Sequence, residues 1–260
     1  MHSVFITGAS SGLGAALALQ YARQGAHLGL LARRGDTLQQ LIASLPHPER
    51  HRAYAVDVCD HAALKSAAQD FIGHAGHIDV VIASAGVSYG TLSEHAEDLD
   101  AFARLIAINV TATVATFAPF IAAMKSQGSG RLVGIGSVAG IRGLPGAEAY
   151  SASKAAVISY CESLRLELKP AGIRVVTITP GYIDTPMTRH NAYRMPFLMP
   201  ADKFAVRAAR AIADGDSYRV IPWQMGVVAK LLRALPNAVY DLAFANAPHK
   251  ARSKPSGDSQ

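Results

Sequence analysis

Apolar residues along this chain come in short dense runs separated by longer amphipathic stretches. Val4–Ile6, His27–Ala32, Arg52–Val58, Ile78–Ala83, Arg131–Gly136, Ile173–Thr179 and Tyr218–Ile221 read as strands. Ile78–Ala83 is apolar around one Asp, the pattern of a strand covered on both faces. The stretches between them read as helices: one opening at Ala15–Leu19, then Asp36–Ser44, His61–Ala75, Leu99–Ser126, Tyr150–Leu168 and Ala201–Asp214. Pro46 and Pro48 close the second helix. Alternating strand and helix predicts an α/β fold, a doubly wound parallel sheet of about seven strands with helices on both faces. No linker or composition shift divides the chain. We therefore expect one Rossmann-like domain over residues 1–221.

Composition narrows the class. Of 260 residues, half are hydrophobic and 17% are charged, as in a packed globule rather than a disordered chain. The net charge of +6 suits an anionic ligand in a cleft, and no cluster of Lys and Arg resembles a nucleic-acid patch. Cys59 and Cys161 have no metal-ligand spacing and read as reduced thiols. The first residues lead straight into a strand, so a cytoplasmic protein without a signal peptide is expected. Leu105–Met124 imitates a membrane span, but Asn109, Thr111, Thr113, Thr116 and Pro119 within it favour a buried helix.

Ligands of such sheets bind beyond the carboxyl ends of the strands. After the first strand comes Thr7-Gly8-Ala9-Ser10-Ser11-Gly12-Leu13-Gly14, a glycine loop that opens a helix. Glycines let the main chain approach a pyrophosphate, and the helix N-terminus offers free N–H groups. Where an NAD site usually carries an acidic residue, the second strand ends in Ala32, followed by Arg33 and Arg34. Two guanidinium groups there suit a 2′-phosphate, which predicts NADP(H) over NAD(H). Asp57-Val58, Ser84-Ala85-Gly86, Ser137 and Pro180-Gly181 hold the other strand ends.

Tyr150 and Lys154, four residues apart, share one face of a helix. A free phenol titrates near pH 10, and a nearby ammonium favours its ionised form. The pair is a candidate acid–base unit. Ser137, at a strand end, offers a hydroxyl to a carbonyl oxygen.

Together these motifs resemble the short-chain dehydrogenase/reductase family from Val4 to about Ile221. The resemblance implies catalytic positions at Asn109, Ser137, Tyr150 and Lys154. Tyr150 would give its proton to the carbonyl oxygen, Lys154 would bond the nicotinamide ribose and lower the tyrosine pKa, Ser137 would orient the substrate, and Asn109 would hold a water. It implies cofactor contacts from Gly8, Ser10, Ser11, Gly12, Leu13, Gly14, Arg33, Arg34, Asp57, Val58, Ala85, Gly86, Tyr150 and Lys154. On the nicotinamide side the matching residues are Pro180, Gly181, Ile183 and Thr185. Ser84 stands where members often have Asn. No Cys/His cluster suggests a metal.

Residues 184–204 are expected to form a substrate lid. Their Met187, Tyr193, Met195, Phe197 and Met199 point to an apolar or lipid-like carbonyl substrate, while Arg189 and Arg194 read as solvated, the alternative being contact with a carboxylate or phosphate; His190 lies in the same stretch. Residues 222–247 form an apolar helical extension broken at Pro236. Three readings of it stay open: packing beside the active site or across a dimer, membrane-surface contact through 222–245 with Lys230 and Arg233, or a core extension. The polar stretch 248–260 is expected to be disordered. The sequence thus describes an NADP(H)-dependent oxidoreductase on a ketone or aldehyde and its alcohol, working as a homodimer or homotetramer. The rival is a catalytically idle NADP(H) sensor or membrane-associated scaffold.

Overall fold

A computed structural model describes residues 2–189, 191, 193–245, 247, 249, 250 and 252. Seven parallel strands form the main sheet: β1 (Ser3–Thr7), β2 (His27–Ala32), β3 (His51–Ala55), β4 (Val80–Ala83), β5 (Gly130–Ile135), β6 (Ile173–Pro180) and, at the far edge, β9 (Tyr218–Ile221). Their order is β3-β2-β1-β4-β5-β6-β9. The order reverses between β1 and β4, where a doubly wound sheet opens a crevice. The expected fold class is the observed one. A two-residue parallel ladder, β7 (Ile183–Asp184) with β8 (Met199–Pro200), lies outside the sheet.

Strand alternation divides the core. Val4 and Ile6 of β1 face one side, with Leu17, Leu38 and Phe204 from helices α1 (Gly12–Arg23), α2 (Gly35–Ser44) and α7 (Ala201–Asp214). Phe5 faces the other, with Phe71, Phe120 and Leu164. Those come from α3 (His61–Ala75), α5 (Ala112–Gln127) and α6 (Glu148–Leu168). Both faces of the sheet's centre are covered, so β2 and β4 are almost wholly apolar, while the edge strands β3 and β9 carry Arg52 and Arg219.

Several boundaries shift by a residue or two, and three departures from expectation have a visible cause or consequence. β3 stops at Ala55, and Val56–Val58 leave the sheet to line the crevice. β4 starts at Val80, because Ile78 instead pairs its main chain with the Gln127 side chain. The long helix is continuous from Asp98 to Gln127 but not uniform: α4 (Asp98–Ile106) passes through a π-turn at Ala107–Thr111 into α5. By length and composition it could cross a membrane. It instead lays Phe117, Phe120 and Met124 in the core, and Thr113 and Thr116 return hydrogen bonds to its own carbonyls.

After β9 come α8 (Trp223–Ala234) and α9 (Asn237–Phe244). Met225 of α8 packs on Gly181, and the Tyr240 hydroxyl of α9 donates to the Gly143 carbonyl at 2.6 Å. Arg142 stacks 4.2 Å from the Tyr240 ring centroid and donates to Asn237. The extension thus packs on the two loops that flank the crevice. Trp223, Leu231, Val239 and Leu242 stay exposed on its outer side.

Beyond Phe244 the expectation of disorder fails for three residues. His249 packs against Gly146, Lys250 donates to the Ser88 hydroxyl at 2.6 Å, and Arg252 pairs with Asp98 and Glu97. A parallel bridge joins Arg252 to Gly90. These contacts tie the segment to the protein, which a count of its polar residues does not reveal. The remainder of 248–260 lies outside the described residues.

Candidate active site

A cavity of about 670 Å³ runs along the carboxyl ends of β1 to β6. Its floor at one end is the turn between β1 and α1. Gly8 sits at φ +67°, and a Cβ there would come within 2.7 Å of Ala85. A Cβ on Gly14 would overlap the Gly8 carbonyl, so only glycine lets α1 begin this close to the strand. Ser10, Ser11, Gly12 and Leu13 complete the loop, and all line the cavity. Ser11 is extended ahead of α1 and its side chain does not cap the helix, so the first-turn N–H groups remain available to an anion.

Arg33 and Arg34 line the same end. Arg34 donates to the Ser10 and Ser11 hydroxyls at 3.1 and 3.3 Å, reaching over the glycine loop. Asp57 and Val58 are beside them. Asp57 accepts from the Cys59 N–H at 2.9 Å and is the one acidic residue among those lining the cavity. Arg104, from α4, also lines it. No strand-end motif marks this residue. It arrives from the middle of a helix, so the sequence reading missed it. Arg33, Arg34, Arg104 and Lys154 against Asp57 make the cavity strongly cationic. Glycine cradle, free helix N-terminus and cationic lining fit a dinucleotide with its phosphates.

At the other end α6 delivers Tyr150 and Lys154 one turn apart. Ser137 follows β5, accepts from the Ala139 N–H at 3.2 Å and lines the cavity with Tyr150, whose pKa it lowers. Lys154 is buried, donates to the Ile135 carbonyl at 2.9 Å, and lies 5.9 Å from the Tyr150 ring centroid. Burial holds the Lys154 ammonium down to about 8. Burial raises the Tyr150 phenol, and the opposing influence comes from Ser137. Lys154, expected to lower the Tyr150 pKa, is not among the influences on it in the protein alone, where burial is the largest.

Asn109 sits in the π-turn, fully buried. Its Oδ1 accepts from the Val87 N–H at 2.9 Å, while Nδ2 donates to the Val87 carbonyl and to Ser153 Oγ at 3.1 and 3.0 Å. The side chain expected to hold a water is thus spent mainly on clamping the loop after β4 to α6. A Cβ on Gly86 would meet Asn109 Oδ1 at 3.2 Å and Lys154 Nζ at 3.6 Å, so both groups approach that loop. Ala85 and Gly86 line the cavity beside Ser84, whose main-chain N–H donates to the Ile82 carbonyl at 3.1 Å.

Pro180, Gly181, Ile183 and Thr185 close the cavity from β6 onward. Thr185 lies 3.6 Å from where a Gly12 Cβ would be, so the two ends of the loop system touch. Of the expected lid, Met187 and Thr188 reach the cavity, and Phe197 and Leu198 are exposed. Arg189 pairs with Asp184. Tyr182 and Tyr193 meet edge to face. His190 lies outside the described residues. Among the described residues no group of His, Cys, Asp and Glu is arranged to hold a metal ion.

A dinucleotide-shaped cavity ending on a Ser–Tyr–Lys cluster, at the switch point of a parallel sheet, defines a nicotinamide-dependent oxidoreductase of alcohols and carbonyls. The family model for short chain dehydrogenase matches residues 2–195, and the chain belongs to that family. It is 36% identical over 251 residues to an uncharacterized oxidoreductase of Myxococcus xanthus, covering 93% of this chain and 96% of that protein. It is also 36% identical over 182 residues to 2-dehydro-3-deoxy-L-rhamnonate dehydrogenase (NAD(+)) of Sphingomonas, covering 70% of this chain and 72% of that protein. Among solved structures, 3-ketoacyl-(acyl-carrier-protein) reductase from Brucella melitensis, complexed with NADH, shares the fold. The TM-score is 0.78 at 24% identity, over 85% of this chain and 96% of that one.

Proposed function

We propose that this oxidoreductase reduces an apolar carbonyl compound with NADPH, with Tyr150 as proton donor and Lys154 and Ser137 beside it. The observation that carries the reading is the convergence of Ser137, Tyr150 and Lys154 on the cavity that the glycine loop opens. A bound nicotinamide dinucleotide supplies or accepts the hydride. The glycine loop and the α1 N-terminus would hold its pyrophosphate, Arg33 and Arg34 a 2′-phosphate, Asp57 and Val58 the adenine end, and Ile183 and Thr185 the nicotinamide end.

The protein's own share is proton delivery and orientation. A phenol raised by burial stays protonated at neutral pH and so holds a proton to give, while a lowering of its pKa by nearby cationic charge would ease the transfer. Ser137 and Tyr150 line the same end of the cavity, so a carbonyl oxygen placed between them would accept from both hydroxyls. Lys154, still mostly ammonium at pH 7, offsets the negative charge as the proton leaves. Met187, which lines the cavity, and the exposed Phe197 and Leu198 of the same stretch support an apolar substrate. The exposed Leu99, Val114 and Leu166 of the α4–α6 side support a homo-oligomer. Paired with Lys230 and Arg233, the outer face of α8 and α9 supports the alternative of a membrane surface.

NADPH oxidation followed by absorbance, over ketones and aldehydes graded from small and polar to long and apolar, tests the reading. Turnover should rise with chain length, and Tyr150→Phe should lower it about 10²–10⁴-fold while NADPH still binds. Near-normal rates in the variant would remove Tyr150 as the donor. Binding without turnover anywhere would favour an idle sensor.

A further inference from the structure

Two cations reach Tyr150, and only one of them belongs to the cluster just described. Lys154 comes from the same helix. Lys250 comes from the segment beyond α9, with Nζ 5.5 Å from the Tyr150 ring centroid, slightly closer than Lys154 at 5.9 Å. We propose that Lys250 is a substrate-recognition residue, and that the preferred carbonyl substrate carries a carboxylate close to the carbonyl group it presents to Tyr150. This rests on the reading of Tyr150 as the group that meets the carbonyl.

The argument starts from how the segment is held. Arg252 is fixed by two carboxylates: Nε lies 2.9 Å from Asp98 Oδ2 and Nη2 lies 3.1 Å from Glu97 Oε1. Asp98 is itself buried and accepts from the Leu92 N–H at 2.8 Å, which ties the anchor to the loop after β4. The bridge from Arg252 to Gly90 adds a main-chain contact to that loop. On the other side His249 lies against Gly146, in the loop before α6. The segment therefore straps across the two loops on either side of Tyr150.

Lys250 stands between these anchors and is treated differently. Its one hydrogen bond is to Ser88 Oγ at 2.6 Å, a neutral acceptor, and no carboxylate pairs with it among the described residues. Burial alone pulls its ammonium down to about 8. A desolvated ammonium lacking a counter-charge is costly, and the nearby Glu97 and Asp98 are taken by Arg252. A ligand carboxylate would supply the missing charge and would gain from the same low-dielectric surroundings. Tyr150 fixes the carbonyl and Lys250 the carboxylate, so the two groups of the substrate must lie near one another, as in a short-spaced oxo acid. The apolar lid residues then meet the remaining chain.

Binding of unreactive probes tests this apart from turnover. Hexanoate and its neutral counterpart hexanamide are titrated calorimetrically into the protein saturated with oxidised nicotinamide cofactor, NADP⁺ or NAD⁺, whichever binds more tightly. Wild type should bind hexanoate at least tenfold more tightly than hexanamide. Lys250→Met should lose that preference while binding hexanamide as before. Arg252→Ala, which loosens the strap without touching the ammonium, should reduce it partly. Equal binding of the two probes by wild type, no binding of hexanoate, or a preference that survives in Lys250→Met would each overturn the assignment. The titrations require no turnover, so a failure here leaves the assay of Tyr150 to decide the reductase reading separately.

Discussion

Lys154 holds a buried ammonium at the wall of the cavity. Its folded pKa of about 8 lies below the ordinary 10.5, because burial penalises the charged form. Below about pH 8 the lysine is charged in both folded and unfolded chains, and the folded state bears the whole desolvation cost. Between about 8 and 10.5 the unfolded chain binds more protons, so stability rises with pH. The expected slope is up to about 1.4 kcal/mol per pH unit from this one residue. Urea unfolding of wild type and Lys154→Met at pH 7, 8 and 9.5 measures it. The variant should be the more stable at pH 7, with the gap closing by pH 9.5; a gap independent of pH would mean that Lys154 keeps an ordinary pKa. Residues of this kind were legible in the sequence because Tyr150, Lys154 and Ser137 depend on local order: a helical turn and a strand end. Arg104 and Lys250 were not legible. Each reaches the site only through tertiary packing, one from mid-helix and one from a polar tail.

Among the elements, the helix pair α4–α5 contributes most to the site beyond its own length. The π-turn at Ala107–Thr111 places Asn109 where its amide meets Val87 on one side and Ser153 on the other. Apolar periodicity predicted one long helix there, and it could not distinguish a wide turn from a regular one because the apolar run continues through it. Strand β3 shows the same limit from the other direction: Val56 and Val58 are β-branched and apolar, yet they line the cavity rather than extend the sheet. Removing the Asn109 clamp leaves the Val87 N–H and carbonyl without their side-chain partner. Asn109→Ala should therefore cost about 1–3 kcal/mol of stability. It should also free the loop carrying Ala85, Gly86 and Ser88, which borders both the cavity and Lys250. Thermal unfolding gives the first effect. Amide hydrogen exchange at Val87 gives the second, with faster exchange expected there and little change in α3. Unchanged protection at Val87 would show that the loop is held from elsewhere.

Across the whole molecule the decisive feature is where its charge lies. The net charge of +6 is modest for 260 residues, but the cavity along the sheet edge gathers three arginines and Lys154 against a single Asp57. Walls of apolar strand ends lower the local dielectric and strengthen that field. A cofactor with one more phosphate would gain more from such a cleft than one without it, which is the basis for proposing NADPH. The Sphingomonas relative, 2-dehydro-3-deoxy-L-rhamnonate dehydrogenase (NAD(+)), makes NAD(H) the alternative to test. Arg33 has no hydrogen bond to the glycine loop, unlike Arg34, so it is the guanidinium free to turn toward a 2′-phosphate. Reversing its charge should lower kcat/KM for NADPH about ten- to a hundredfold, as expected for the loss of a charge-assisted bond. NADH should be little affected. Arg104→Ala serves as the comparison, because Arg104 reaches the same end of the cavity from α4. A change in the NADPH-to-NADH ratio for Arg33→Asp alone would locate the 2′-phosphate at the end of β2. A change for Arg104→Ala alone would locate it beside α4, and no change in either would mean that the cationic lining serves the pyrophosphate and leaves the two cofactors undistinguished.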